Sequence, residues 1–343
     1  MKALVLEEYN KLTYKDMPDP QIGDDEVLVQ VKACGICGSD VHGMDGSTGR
    51  RIPPVIMGHE ASGVIVETGC KVEGLHRRER VTFDSTVYCG TCRFCRMGRI
   101  NLCDNRRVLG VSCDDYRRHG ALAEYVAVPE HIVYVLPDDV SFEQAAMVEP
   151  LSIAVHAVDI TPISLNDTAV VIGAGMIGLS IVQVLRSAGC GRIVAVDVNP
   201  WRLELARKVG ADVSLKSDEV DVPGEIMKLT DGLGADAAFE AVGISETVNA
   251  TAASLRKGGN LTLVGNVSPK VEIPLQTIVT REIAVRGSCA SNGEYPTCLE
   301  MIAQGRINIE ALMSKAAPLS NGAEWFKRLY DAKENLMKVV LIP

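Results

Sequence analysis

From about Asp167 onward the chain alternates short apolar runs, rich in β-branched residues, with stretches of helical period. Thr168 to Ile172, Ile193 to Asp197, Asp236 to Glu240 and Asn260 to Val264 read as strands, and Ile283 to Gly287 is one more apolar run. Parallel strands need a crossover of a dozen or more residues between them, which helices supply. The alternation therefore predicts an α/β fold, a doubly wound parallel sheet wrapped by helices.

The first 150 or so residues have a different rhythm. Met1 to Tyr14, Val27 to Val31, Gly63 to Val66 and Tyr125 to Val128 alternate as strands do, between Pro and Gly clusters, and predict a β-rich domain. A chain of 343 residues also exceeds what one hydrophobic core fills, so two domains are expected. Beyond the parallel-sheet region, Pro296 to Gln304 and Ala323 to Ala332 have amphipathic helical period and Val339 to Ile342 reads as a strand. Periodicity alone leaves open whether this tail extends the second domain or returns to the first.

The net charge of −9 lacks the basic excess that a phosphate backbone or an anionic bilayer would attract, so neither nucleic acid nor membrane is an expected partner. No apolar stretch reaches the roughly 18 to 20 residues of a bilayer span, and the amino terminus lacks the charged, apolar and cleavage segments of a signal peptide. A cytoplasmic protein is expected. The eleven cysteines are then an odd number in a reducing compartment, and their spacing argues for metal rather than disulfides.

Val170 to Ile172 runs directly into Gly173, Ala174, Gly175, Met176, Ile177 and Gly178, and then into a helical stretch. In a GxGxxG turn between strand and helix the first glycine permits the tight turn, the second lets a pyrophosphate approach the backbone, and the third lets helix and strand pack. The helix start offers unpaired N–H groups to the phosphates. Asp197 ends the next strand, roughly 20 residues beyond the last glycine, where a carboxylate accepts from the adenosine ribose and repels the extra phosphate of NADP. NAD is the expected cofactor. Arg202 is a candidate to stack on adenine, and Val242 and Val264 complete the expected cofactor-binding set.

Two constellations suit metal. Cys89, Cys92, Cys95 and Cys103 form CxxCxxC plus a fourth thiol, enough to enclose a tetrahedral zinc with no open position. The Cys-Pro ending of a bacterial iron–sulfur pattern is missing. The second set is scattered: Cys37, Ser39, Asp40 and His42, then His59 and Glu60, with Glu149 much later. A thiolate, an imidazole and one or two carboxylates make a mixed-ligand zinc site with room for water or substrate.

With these residues in place, the chain resembles the zinc-containing medium-chain dehydrogenases, most closely their polyol, sugar-alcohol and threonine branch. The likeness rests on Cys-Gly-Ile-Cys-Gly-Ser-Asp-Val-His at 34–42, Gly-His-Glu at 58–60, the four-cysteine lobe, Val-Glu-Pro at 148–150 and the glycine turn, and it covers essentially the whole chain. It implies a GroES-like catalytic domain of residues 1–155 and 290–343 around a Rossmann domain at 156–289. It further implies two zinc ions per chain, with Cys37 and His59 as ligands of the catalytic one. Glu60 and Glu149 match the acidic positions that ligate or border it. Ser39 and His42 match a proton relay, and the relatives are dimers or tetramers, so a homo-oligomer is expected.

The implied activity is oxidation of a secondary hydroxyl of a small polar alcohol, such as a polyol, to the ketone. Animal sorbitol dehydrogenases carry a tyrosine after the relay histidine and an Arg-Tyr pair after the last parallel strand, whereas this chain has Gly43 and Ala290 with Ser291. Sorbitol itself is therefore not assumed, and galactitol-phosphate, threonine and butanediol remain open. Arg50 and Arg51 could meet a phosphate, with solvated side chains the plainer expectation. A zinc-free quinone reductase would lack the four-cysteine lobe, and an NAD-binding sensor without chemistry would not need Cys37 and His59.

Overall fold

Thr168–Ile172 lies inside a six-stranded parallel sheet with the order Val213–Lys216, Arg192–Asp197, Thr168–Ile172, Ala235–Glu240, Leu255–Leu263, Ala284–Gly287. In register, Val170 faces Val194 on one side and Ala238 on the other. Val170, Val194, Ala238 and Leu261 are buried together, which is why these strands read as continuous apolar runs rather than as an alternation. Successive strands are laid outward on opposite sides of Thr168–Ile172, so this is a switch point in strand order, where α/β sheets leave a crevice beyond the carboxyl ends of their strands. The glycine turn follows Ile172.

The computed structural model describes residues 1–113 and 116–343, with the side chain of Cys113 outside the description. The chain divides into two units. The first comprises Met1–Glu149, Tyr295–Ala303 and Leu312–Pro343, and the second Pro150–Glu294 and Gln304–Ala311. The anticipated boundaries at 155/156 and 289/290 both fall within the second unit. The helix Val148–Asp159 runs without interruption through the first boundary, so no loop composition marks it.

In the first unit Glu26–Gly35 pairs antiparallel with Glu60–Thr68, with Tyr125–Pro129 and with Lys338–Ile342. Val27, Val29 and Val31 point into the core while the residues between them are half-buried, as a strand with one face on the core requires. Leu341 pairs with Cys34, so the carboxy-terminal strand joins the amino-terminal sheet. Met1 to Tyr14 is a hairpin, Lys2–Glu8 with Lys11–Asp16, turned at Asn10 with φ of 64°. Asparagine tolerates that left-handed conformation better than most residues.

Val213–Lys216 was not foreseen. It is four residues long, half-buried throughout and at the sheet edge, too short for a periodicity to register. Leu255–Leu263 begins before the expected Asn260 because Gly258 and Gly259 interrupt its apolar run. Among the described residues no helix is long and apolar enough to cross a membrane.

Candidate active site and zinc lobe

Strand pairing builds the first cluster. Gly35, at the end of Glu26–Gly35, is the register partner of Glu60, at the start of Glu60–Thr68. A side chain at 35 would collide with the Glu60 carboxylate, so glycine there lets the two strands close over it. Gly58 has φ of 91°, and a Cβ would meet Leu122 and the Cys34 sulfur, so only glycine makes the turn that delivers His59. One donor atom each from Cys37, His59 and Glu60 thereby come within 4.8 Å of one another. Glu149 stands outside this set of three.

Around the cluster several charged groups have dedicated contacts. Cys37 caps the short helix Gly38–Gly43, its sulfur accepting from the Ser39 N–H at 3.5 Å and from the Ser39 hydroxyl at 3.2 Å. Ser39 and His42 are exposed and three residues apart, on one face of that helix. Buried Asp40 accepts from Arg51 Nε and Nη2 on Oδ1, at 2.9 and 2.6 Å, while its Oδ2 faces His59 Nδ1 at 3.2 Å. Lys338 Nζ donates to both oxygens of Glu60, at 2.8 and 2.6 Å, and to the Ile36 carbonyl at 3.1 Å.

The electrostatics follow this wiring. Burial alone would raise the Asp40 pKa, but the adjacent charges of His59 and Arg51 outweigh it and hold the group below the ordinary carboxylate range. Burial opposes a charged His59, yet Asp40 and Cys37 overcome it and raise the imidazole well above its usual value. Burial pushes the Glu149 carboxyl up to about 7, against the pull of His59 and with a further push from Glu60. A soft thiolate, an imidazole whose Nδ1 is engaged by a carboxylate and a nearby carboxylate form a donor set that suits zinc.

The second cluster is local in sequence. Cys89, Cys92, Cys95 and Cys103 bring their sulfurs within 4.8 Å of one another. Backbone N–H groups point at them: Cys92 N to the Cys89 sulfur at 3.4 Å, Cys95 N to the Cys92 sulfur at 3.5 Å and Cys89 N to the Cys103 sulfur at 3.3 Å. Such bonds favour thiolate. With Thr91 and Asn105 they bring the Cys89 thiol down to about 5, while burial and the neighbouring sulfurs push Cys95 up to about 12. Four crowded sulfurs cannot all ionise without a cation, and a divalent metal resolves the conflict.

The glycine turn has the shape of a phosphate cradle. Gly173 has φ of 100° and Val242 packs over it, so that a Cβ would meet Val242 Cγ2 at 2.6 Å. A Cβ at Gly178 would run into the Gly173 carbonyl, whereas one at Gly175 would meet nothing within 4 Å. Gly175 precedes the helix Met176–Ser187, whose first residues, Met176 and Ile177, are half-buried. The open side thus faces the helix N-terminus. Asp197, only 8% exposed, accepts from Ala174 N at 2.7 Å and Asn199 N at 2.9 Å. Half-exposed Arg202 is 3.7 Å from the same carboxylate. Val242 donates its N–H to Glu240 at 2.9 Å and Val264 donates to the Glu240 carbonyl at 2.8 Å.

Two sequence readings change. Arg51 is neither solvated nor available to a phosphate: it is 3% exposed and committed to Asp40. Lys338 and Arg51 were missed as parts of the site. Arg51 gave no signal beyond its charge, and Lys338 none beyond being a lone cation opening the buried run Val339 to Leu341.

Comparison with known proteins finds relatives along the whole chain. Residues 23–138 match the alcohol dehydrogenase GroES-like domain and residues 177–304 the zinc-binding dehydrogenase domain. D-arabitol-phosphate dehydrogenase of Enterococcus avium is 35% identical over 95% of this chain and 93% of its own. Sorbitol dehydrogenase of Bacillus subtilis is 34% identical over 100% and 97%. Among solved structures, a zinc-binding dehydrogenase of Sinorhizobium meliloti bound to NADP superposes with a TM-score of 0.91 at 32% identity, covering 100% of this chain and 99% of that one. An Escherichia coli alcohol dehydrogenase in complex with NADH gives 0.92 at 30%, with the same coverage. The chain belongs to the zinc-binding alcohol dehydrogenase family, with a GroES-like domain and a parallel-sheet nucleotide-binding domain. It is a zinc-dependent alcohol or polyol dehydrogenase, and its relatives include enzymes of free and phosphorylated polyols.

Proposed function

We propose that this enzyme oxidises a secondary hydroxyl of a polyol, sugar alcohol or related small polar alcohol to the ketone, with NAD as hydride acceptor. The observation that supports this most directly is the convergence of Cys37, His59 and Glu60 in the same chain as a phosphate-cradling glycine turn. Zinc would supply a Lewis acid that lowers the pKa of a substrate hydroxyl, and NAD would accept the hydride.

The chain's own groups do the rest. Cys37 and His59 would hold the ion, with Glu60 beside them and Glu149 further out. The Ser39 hydroxyl and His42, on one exposed helix face, would pass the substrate proton outward. Gly173, Gly175 and Gly178, with the start of the helix at Met176 and Ile177, would seat the pyrophosphate. Asp197 would meet the ribose, with Arg202, Val242 and Val264 bordering the cofactor. A fixed carboxylate at that point favours NAD over NADP.

The free thiols fit a reducing, cytoplasmic setting. A homo-oligomer is supported by the position of Ala284–Gly287 at the edge of its sheet among the described residues and by exposed Val267, Leu275 and Val279 on the same unit. The deciding experiment is NADH formation across polyols, phosphorylated polyols, diols and threonine. Turnover confined to simple primary alcohols, or NADP used as fast as NAD at matched subsaturating concentrations, would sink the reading.

A further inference from the structure

Arg51 is a cation of the first cluster that holds none of Cys37, His59 or Glu60 directly and is nonetheless buried, at 3% exposure. A guanidinium is removed from water at considerable cost unless a fitted partner compensates. Its partner is Asp40, whose two oxygens have separate duties: Oδ1 receives both Nε and Nη2 of Arg51, and Oδ2 faces His59 Nδ1 at 3.2 Å. Nη2 also reaches the Ser39 hydroxyl at 3.4 Å, and Ser39 in turn donates to the Cys37 sulfur at 3.2 Å. One side chain thus connects to both Cys37 and His59, each through a single intermediary.

Sterics explain how it gets there. The stem of Arg51 lies on Gly43, where a Cβ would meet Arg51 Cγ at 2.6 Å. Any larger residue at 43 would occupy the space the stem uses. Gly43 and Arg51 are therefore one device, an absent side chain that admits a long one.

Resting on the reading of Cys37, His59 and Glu60 as a metal site, the geometry points to Arg51 as a positioning residue for that site. It fixes the Asp40 carboxylate so that Oδ2 stays against His59 Nδ1 and orients the imidazole, and it steadies Ser39 against Cys37. Metal ligands are oriented by such outer contacts, whose loss costs about 10- to 100-fold in metal affinity or activity. The guanidinium fork suits the task because two donors converge on one oxygen and leave the other for histidine.

The test uses Co2+, whose visible absorption reports tetrahedral coordination, added alone to apo-enzyme. Affinity is measured at each site by chelator competition for wild type, Arg51→Lys, Arg51→Met, Asp40→Asn and the double variant Asp40→Asn/Arg51→Met. Affinity at the Cys37/His59 site should fall about 10- to 100-fold in Arg51→Met, less in Arg51→Lys, and in the double variant by less than the product of the two single losses, because the path through Asp40 is shared while the path through Ser39 is not. The four-cysteine site should bind as in wild type. Should Arg51→Met fail to fold, Arg51→Lys and the double variant, which leaves no unpaired buried charge, decide the matter. Wild-type Co2+ affinity in a folded Arg51 variant, or effects that multiply in the double variant, would overturn the inference. A wild type that takes up Co2+ only at the four cysteines would instead overturn the site assignment beneath it.

Discussion

Lys338 holds Glu60 by both carboxylate oxygens, at 2.8 and 2.6 Å, across 278 residues of chain. Both side chains are almost wholly buried, at 4% and 0% exposure. Removing one partner leaves a naked charge in the sheet, which costs roughly 3–5 kcal/mol. Lys338→Met should therefore lower stability by about that amount, and pairing it with Glu60→Gln should recover a large part. Denaturant titration of the two variants checks this, and equal losses in both would show that the pair matters only through packing.

The glycine turn separates folding from cofactor binding. At Gly175 a methyl group would enter open space, so Gly175→Ala should leave the melting temperature within about 2 °C of wild type. It would stand where phosphates must approach the backbone, and NAD affinity should fall by at least about tenfold, or 1.4 kcal/mol. Gly178→Ala should show the opposite order, because its methyl collides with the Gly173 carbonyl and disturbs helix packing first. Calorimetric titration with NAD beside a thermal melt distinguishes the two.

His119 gives a pH dependence of known sign. Its Nδ1 accepts from the Ile56 N–H at 3.1 Å, a bond possible only while that nitrogen is unprotonated, and burial lowers its pKa below the ordinary 6.5. The unfolded chain then binds the proton more readily than the folded one. The stabilisation is complete above the unfolded value and drains away as pH falls from about 6.5 through the folded value. Melting temperatures from pH 7.5 to 5 should decline more steeply in wild type than in His119→Asn, which keeps an acceptor and does not titrate. Parallel curves would refute the assignment.

The legible parts of this protein are those written in local patterns. The inner parallel strands announce themselves because both faces are covered, the four cysteines because their ligand spacing closes within one loop, and the turn at 173–178 because its glycines recur at a fixed spacing and two of them, Gly173 and Gly178, leave no room for a side chain. The first cluster was legible as a set of candidate residues, since Cys37 and His59–Glu60 sit on motifs beside strand ends. What supports them was not. Arg51 and Lys338 are ordinary cations in sequence, and they become part of the site only because Gly43 leaves room for one and the closing strand Lys338–Ile342 returns beside Gly35 to bring the other. Such roles are decided by tertiary register, which no periodicity encodes.

The two metal clusters should fail differently when each loses a ligand. Cys37 and His59 lie next to the paired strand ends Gly35 and Glu60 of the first unit, where strand pairing and the surrounding apolar core hold the backbone whether or not a metal is bound. His59→Ala or Cys37→Ala should therefore remove turnover while the glycine turn and Asp197 still bind NAD in a folded protein. The four-cysteine lobe has far less of that support: a two-residue strand pair, Thr86–Val87 with Arg107–Val108, closes its base, the helix Arg93–Arg96 buries none of its residues, and its other fixed points are sulfurs and the N–H groups aimed at them. Metal binding in a segment of this kind is itself folding energy. Cys92→Ser should release that ion, lower the melting temperature first and reduce activity only as the fold loosens. Zinc content, NAD affinity, turnover and melting temperature, measured under identical conditions, decide the matter. A Cys92→Ser enzyme that was inactive yet melted as wild type, beside a fully active His59→Ala enzyme, would mean that the roles of the two clusters are exchanged.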